Sequence, residues 1–309
     1  MRMYYLIFCI CSIILNSSTI TAFSFKKLYT SFIPGKMHQE VIFEEHAPQK
    51  ASLVTVKNKT GNVTIKTDSL HDVIFLKVVK KAYEKEDLPK VTFNYALHGQ
   101  EIIIEANYDD QLINGALDFE LIVPQKLAVN AHTQDGSIKI CQSHSAVRAS
   151  TEKGPIEIVN AHNTVDASTQ QKGAITFYRP EGRIKAQTNN GNIFIHDAQS
   201  SVVANTHYGS IELFAKEVPS TSSIKLASHS GSIVLHLPPD VNADLQASTK
   251  YGMITSDHYI TLKPHTTQLN RTAWKRLQRE VEGTIGSGEA QIVLSSVRSD
   301  IKLLETKVS

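Results

Sequence analysis

From Val129 onward the chain alternates apolar and polar residues in short bursts of period two, and the bursts come in pairs. The first member of each pair reads Val129-Ala131-Thr133, Val147-Ala149-Thr151, Val165-Ala167-Thr169, Ile184-Ala186-Thr188, Val202-Ala204-Thr206, Ile224-Leu226-Ser228 and Leu245-Ala247-Thr249. The second reads Ile138/Ile140, Ile156/Ile158, Ile175/Phe177, Ile193/Ile195, Ile211/Leu213 and Ile233/Leu235. Alternation of this kind marks a strand with one face buried, so each pair predicts two short strands joined by a polar turn.

A glycine sits in every turn. It falls at Gly136, Gly154, Gly173, Gly191, Gly209, Gly231 and Gly252, at intervals of 18, 19, 18, 18, 22 and 21 residues, and a degenerate last copy has Ser299 in its place. A fixed period near twenty residues means units that bury their apolar rows only against one another, the condition for a solenoid. The fold class expected is therefore all-β: a parallel β-solenoid of eight coils, about 40 Å long at about 4.8 Å per coil, wound right-handed in the usual sense of parallel crossovers. An antiparallel sandwich of hairpins is the competing architecture, since the phrases NNG and QDG suit hairpin turns. The constant phase of the copies favours translation over alternating hairpins.

The flanks break the pattern differently. Residues 38–125 alternate with period two but do not repeat, apart from one early copy around Gly61, and Gly99 separates two strand-like runs as a hairpin requires. An N-terminal β-sheet cap over the exposed end of the solenoid is the expected role. Beyond Gly252, the residues Leu269, Ala273, Leu277 and Val281 fall at helical spacing between Thr266/Thr267 and Gly283, with Trp274 on the apolar face. One amphipathic helix inserted over residues 263–283 is predicted. The domain organisation read this way is 1–22 signal, 23–125 cap region, 126–262 repeats, 263–283 helix, and 284–309 last coil and tail.

Composition changes the picture at one end. Arg2, an apolar run from Tyr4 to Leu15 and then small polar residues give the layout of a secretory signal with cleavage near Ala22. A transmembrane anchor, the alternative, needs roughly 20 apolar residues, more than this run has. Export leaves Cys141 as the one cysteine and no intrachain disulfide. The formal charge of +2, and +1 without Arg2, gives no reason to expect nucleic acid. The 41% hydrophobic content is enough to build a core.

The passage LDFELIVPQKLAVNAHTQDGSIKI, the Gly-x-Ile-x-Ile copies and the closing GSGEAQIVLSSVRSDIKLL resemble the bacterial exported β-strand-repeat domains of unknown function, of the autotransporter-adhesin head type, over roughly residues 50–305. The resemblance implies a β-helix-like fold on the exported side of a bacterial membrane and an adhesin-like role. It brings no catalytic residue.

Any chemistry belongs on the outward columns beside each glycine. Two positions before it stand Gln134, Glu152, Asn189, His207, His229 and Lys250, and one before it Asp135, Lys153, Asn190, Tyr208, Ser230 and Tyr251. No two carboxylates stack within a column, as a paired acid/base mechanism would want. His207 and His229 would lie one coil apart, but Asn189 and Lys250 on either side make poor metal ligands. No nucleophile elbow, Cys-x-x-Cys or phosphate loop is present. The row Asn189, Asn190, His207, Tyr208, His229, Lys250 and Tyr251 mixes amides with aromatics and is the candidate binding surface, for a glycan or an envelope protein. The reading is a non-enzymatic exported solenoid, in the periplasm or on the cell surface. The alternatives are a carbohydrate-active β-helix enzyme and an envelope component that self-assembles through its open end.

Overall fold

A computed structural model describes residues 27–31, 37–109, 114–263 and 279–306. The chain is all-β there, with two sheets of 13 strands each. In the repeat region, successive copies pair in parallel and in register: Val147↔Val165, Ala149↔Ala167 and Thr151↔Thr169 in one sheet, Ile156↔Ile175 and Ile158↔Phe177 in the other. Parallel pairing decides between the two architectures, because hairpins would pair neighbouring strands antiparallel. Each coil contributes one strand to each sheet, and the two inward rows meet between them. Ile138, Ile175, Phe177, Ile193, Ile211, Leu213 and Ile233 are wholly buried, facing Ala131, Ala149, Ala167, Ala186 and Ala204. Small alanines opposite branched and aromatic side chains let two sheets approach closely without voids.

The glycine and threonine of the repeat have separate jobs at one corner. A Cβ on Gly191 would lie 1.9 Å from the carbonyl oxygen of Gly173 in the preceding coil, so close approach of backbones, not an unusual φ, requires glycine there. Thr206 is buried and donates its Oγ1 hydrogen to the Gly191 carbonyl at 3.0 Å; Thr133, Thr151, Thr188 and Ser228 do the same to Gly61, Gly136, Gly173 and Gly209. A row of carbonyls that the corner withdraws from water is thus answered by a row of buried hydroxyls. In the Gly173 coil the extra residue of the 19-residue interval appears as a register shift between Thr151 and Lys153.

The coils do not all follow one another in space. Ten strands of each sheet run parallel, two more levels than the eight coils expected. The early copy, Leu53–Thr60 and Val63–Asp68, lies between the coil formed by Glu101–Tyr108 and Gly115–Pro124 and the Gly136 coil. At the other end Ala290–Ser296 and Ile301–Glu305 are wedged between the Gly231 and Gly252 coils. The Ser299 copy is therefore last in sequence but next to last in space.

Antiparallel strands flank both ends. Ile74–Ala82 pairs with Gly115–Pro124, and His38–His46 with Ile74–Ala82; Val91–His98 and Glu101–Tyr108 form the hairpin expected at Gly99. At the far end Glu280–Ile285 lies antiparallel on Ala243–Thr249. This corrects part of the helix prediction: Glu280, Val281, Glu282 and Gly283 are in a strand, because Gly283 and its neighbours complete hydrogen bonding along an otherwise open sheet edge. Residues 264–278, with Leu269, Ala273, Trp274 and Leu277, lie outside the described residues. Among the described residues no helix is long and apolar enough to cross a membrane.

Candidate functional site

Two corners of the coil carry the polar side chains that could act on a ligand. The first is the threonine–glycine corner. Asn189 and Asn190 end the strand Ile184–Asn190, and His207 and Tyr208 end Val202–Tyr208, with Asn190 paired to Tyr208 across the ladder. The imidazoles of His207 and His229 stack face to face, with centroids 4.6 Å apart and planes 11° from parallel, and Tyr208 meets the His207 ring edge-on at 4.3 Å. Asn189 and His207 line a depression of about 560 Å³ together with the in-register row Ser168, Gln187 and Asn205. The chemistry offered is hydrogen bonding from amides and an imidazole, with Tyr208 half-exposed beside it.

Lys250 and Tyr251 do not extend this row directly. The backbone N–H of Arg298 bonds the His229 carbonyl and that of Tyr251 bonds the Val297 carbonyl, so Val297 and Arg298 occupy the level between. The expectation that Lys250 follows His229 rested on sequence order, and the wedged coil overturns it. Lys250 instead turns its ammonium over the Tyr251 ring at 5.0 Å. Arg298, exposed, is the residue that sequence reasoning misses, since its copy lacks the glycine that marks the others. Among the described residues no group of three His, Cys, Asp or Glu side chains converges as a metal site.

The second corner follows the other strand of each coil. Gln142, Asn160, Arg179 and Asp197 stand there with φ of 60°, 54°, 50° and 58°, one per successive coil. A left-handed residue at this point reverses the chain toward the next coil, at a cost of roughly 1–2 kcal/mol for a residue other than glycine or asparagine. Beside this row runs a groove of about 680 Å³, lined by Lys66, Asp68, Gln142, His144, Asn160, His162, Arg179, Glu181, Gln199 and Lys216 among others. His144 and His162 stack at 4.3 Å, and His162 Nδ1 lies 2.7 Å from Glu181 Oε2. At the groove's end Asp68 accepts the Leu70 N–H at 2.8 Å and lies 2.6 Å from His71. The Leu70 amide first, then the imidazole, holds the Asp68 carboxyl below the usual carboxylate range.

Between the core and this corner a ladder of rings faces outward. Tyr178, His196, Phe214 and His236 stack on successive coils at centroid distances of 5.1, 5.3 and 3.8 Å, with planes 8–13° from parallel. The signal was in the sequence: each occupies the position after the second inward apolar residue of its copy. Because ring faces point at one another along the axis, only edges remain for a ligand, and the ladder chiefly ties coils together. Cys141 lies in the same column, half-buried between Lys66 and Val159, and burial pushes its thiol up against the pull of Lys139, which leaves it a poor nucleophile.

Residues 179–304 match the family model described as Toastrack DUF4097, so the resemblance to strand-repeat domains of unknown function is met over that span. Among solved structures, the chain is similar to a candidate adhesin from Bacteroides fragilis, with 13% identity, a TM-score of 0.47, and coverage of 85% of this chain and 97% of the other. It is also similar to a candidate cell adhesion protein from Clostridium sporogenes, at 9% identity and a TM-score of 0.28, covering 88% and 100% of the two chains. No curated protein sequence matches the chain.

Proposed function

We propose, for a chain whose residues 179–304 match the Toastrack DUF4097 family, that it is a non-enzymatic, exported binding module whose solenoid holds rows of side chains in register for an extended partner, in the manner of an adhesin. The observation that carries this reading is the amide and imidazole row at the threonine–glycine corner: Gln187, Asn205, Asn189 and His207 border one depression on adjacent coils. Backbone pairing fixes their spacing at about 4.8 Å, so a ligand meets a preorganised line of donors and acceptors and little ordering entropy is lost on binding. Neutral, hydroxyl-rich chains such as glycans suit such a row, and an envelope protein presenting an extended segment is the other partner class. Export rests on the N-terminal sequence, with the mature chain beginning near residue 23.

The test is binding of the mature protein to an array of neutral glycans and envelope polymers beside the variant Gln187→Ala/Asn189→Ala/His207→Ala. Binding lost at least tenfold in the variant, with an unchanged unfolding midpoint, supports the reading. Binding unaltered by the variant, or turnover of any polymer into smaller products, overturns it.

A further inference from the structure

The groove at the other corner has an uneven charge balance. Its two carboxylates are each turned to an imidazole, Asp68 to His71 and Glu181 to His162. Its three cations, Lys66, Arg179 and Lys216, are exposed and make no ion pair among the described residues; Asp197, one coil from Arg179 in the left-handed row, is not paired with it and does not line the groove. Lys66 stands on the strand that pairs with the Gly136 coil, three levels from Arg179, and Lys216 follows two levels beyond. At about 4.8 Å per level the cations are spread over roughly 24 Å, with gaps of about 14 and 10 Å. Gln142, Asn160 and Gln199 fill the levels between them with amides.

We propose that this groove binds an extended polyanion of the carboxylated-polysaccharide class, distinct in place and chemistry from the neutral row at the threonine–glycine corner. The three cations meet carboxylates of the polymer, Arg179 in the bidentate geometry that guanidinium favours, and the amides take the intervening hydroxyls. An elongated site with charges spaced in multiples of the coil rise fits a polymer with regularly repeated charges better than a compact anion. A nucleic acid is a poorer match: the rings lining the groove, His144 and His162, are stacked on each other, which leaves one short stack and not a series of separate platforms for successive bases.

The test compares polygalacturonate with dextran of matched length for binding to the mature protein. Three variants are needed: Lys66→Gln/Arg179→Gln/Lys216→Gln; the charge-retaining Lys66→Arg/Lys216→Arg, which keeps the Arg179 fork; and Lys153→Gln/Lys225→Gln/Lys302→Gln, which removes as much charge elsewhere. Expected are polygalacturonate binding that weakens steeply between about 50 and 200 mM salt, no binding of dextran at this groove, at least a tenfold loss in the first variant, and near-normal binding in the other two. Equal loss in the first and third variants would mean diffuse charge attraction and overturn the proposal, as would polyphosphate or single-stranded DNA bound as tightly as polygalacturonate. Failure of wild type to bind polygalacturonate also overturns it while leaving the neutral-row reading standing, because no residue is shared between the two variants that test them.

Discussion

At the corner inside each coil, a threonine or serine stands three residues before the glycine in every copy from Gly136 to Gly252 but the Gly173 one, where it stands four before; at the corner that hands one coil to the next, the residues read QSHSA, NAHNT, RPEGR and DAQSS and share almost nothing. The first corner is compressed. Backbones approach until a Cβ has no room, and buried hydroxyls satisfy the carbonyls that water no longer reaches. The second is open: a single left-handed residue turns the chain, and the side chains beyond it face a groove. Where packing leaves one solution the sequence repeats, and where solvent accepts many solutions it is free to differ and to carry a binding chemistry.

Opposite responses to the same exchange would break this comparison most clearly. Gly191→Ala places a methyl group 1.9 Å from the Gly173 oxygen, and the coils can accommodate it only by parting; a loss of about 3 kcal/mol is expected in urea unfolding followed by circular dichroism. Thr206→Val keeps the shape but removes the donor that answers the Gly191 carbonyl, with an expected loss of about 1–2 kcal/mol by the same measurement. At the open corner the sign reverses. Gln142→Gly relieves a left-handed residue at φ 60°, and after the greater freedom of glycine in the unfolded chain is subtracted, a gain of about 0.5 kcal/mol is expected. A destabilisation there as large as at Gly191 would erase the distinction between the corners.

The smallest effect concerns acid. The Asp68 carboxyl titrates below its ordinary value in the folded chain, through the Leu70 amide first and His71 second. Its contribution to stability is therefore complete above the unfolded carboxylate range, near about 4, and disappears as the pH falls through the lower folded value. Asp68→Asn should lower the unfolding midpoint slightly at neutral pH and converge on wild type as the pH falls through that acid window, so that the variant's midpoint varies less with pH. A variant whose midpoint parallels wild type throughout would show that the Leu70–Asp68–His71 turn does not hold the end of the groove.

Much of this architecture is legible in the order of residues alone. The inward rows, from Val129 and Ala131 to Ile233 and Leu235, follow from period two, and the glycine phase identifies the corner they share. The ring ladder from Tyr178 to His236 obeys the same register but escapes notice, because its members differ in type while occupying one position. The groove could not be read this way: Lys66, Arg179 and Lys216 lie 113 and 37 residues apart in sequence and belong to turns of different length and composition.

The sequence by itself determined what each coil is: which residues point inward and where the chain turns. These are local matters of alternation and turn chemistry, whereas the need for glycine and a hydroxyl at that turn comes from the carbonyl of the coil before. The order in which coils stack was decided only by tertiary structure. Any coil with the same alternation presents the same ladder of N–H and C=O groups, so strand pairing does not discriminate between the Ser299 copy and the Gly252 copy as the neighbour of the Gly231 coil. Antiparallel pairing of Glu280–Ile285 on Ala243–Thr249 places the latter at the outside and sends Ala290–Ser296 back beneath it. That arrangement sets Arg298 beside His229 and moves Lys250 away, so which side chains share a surface at this end was fixed by how the sheet edge is closed.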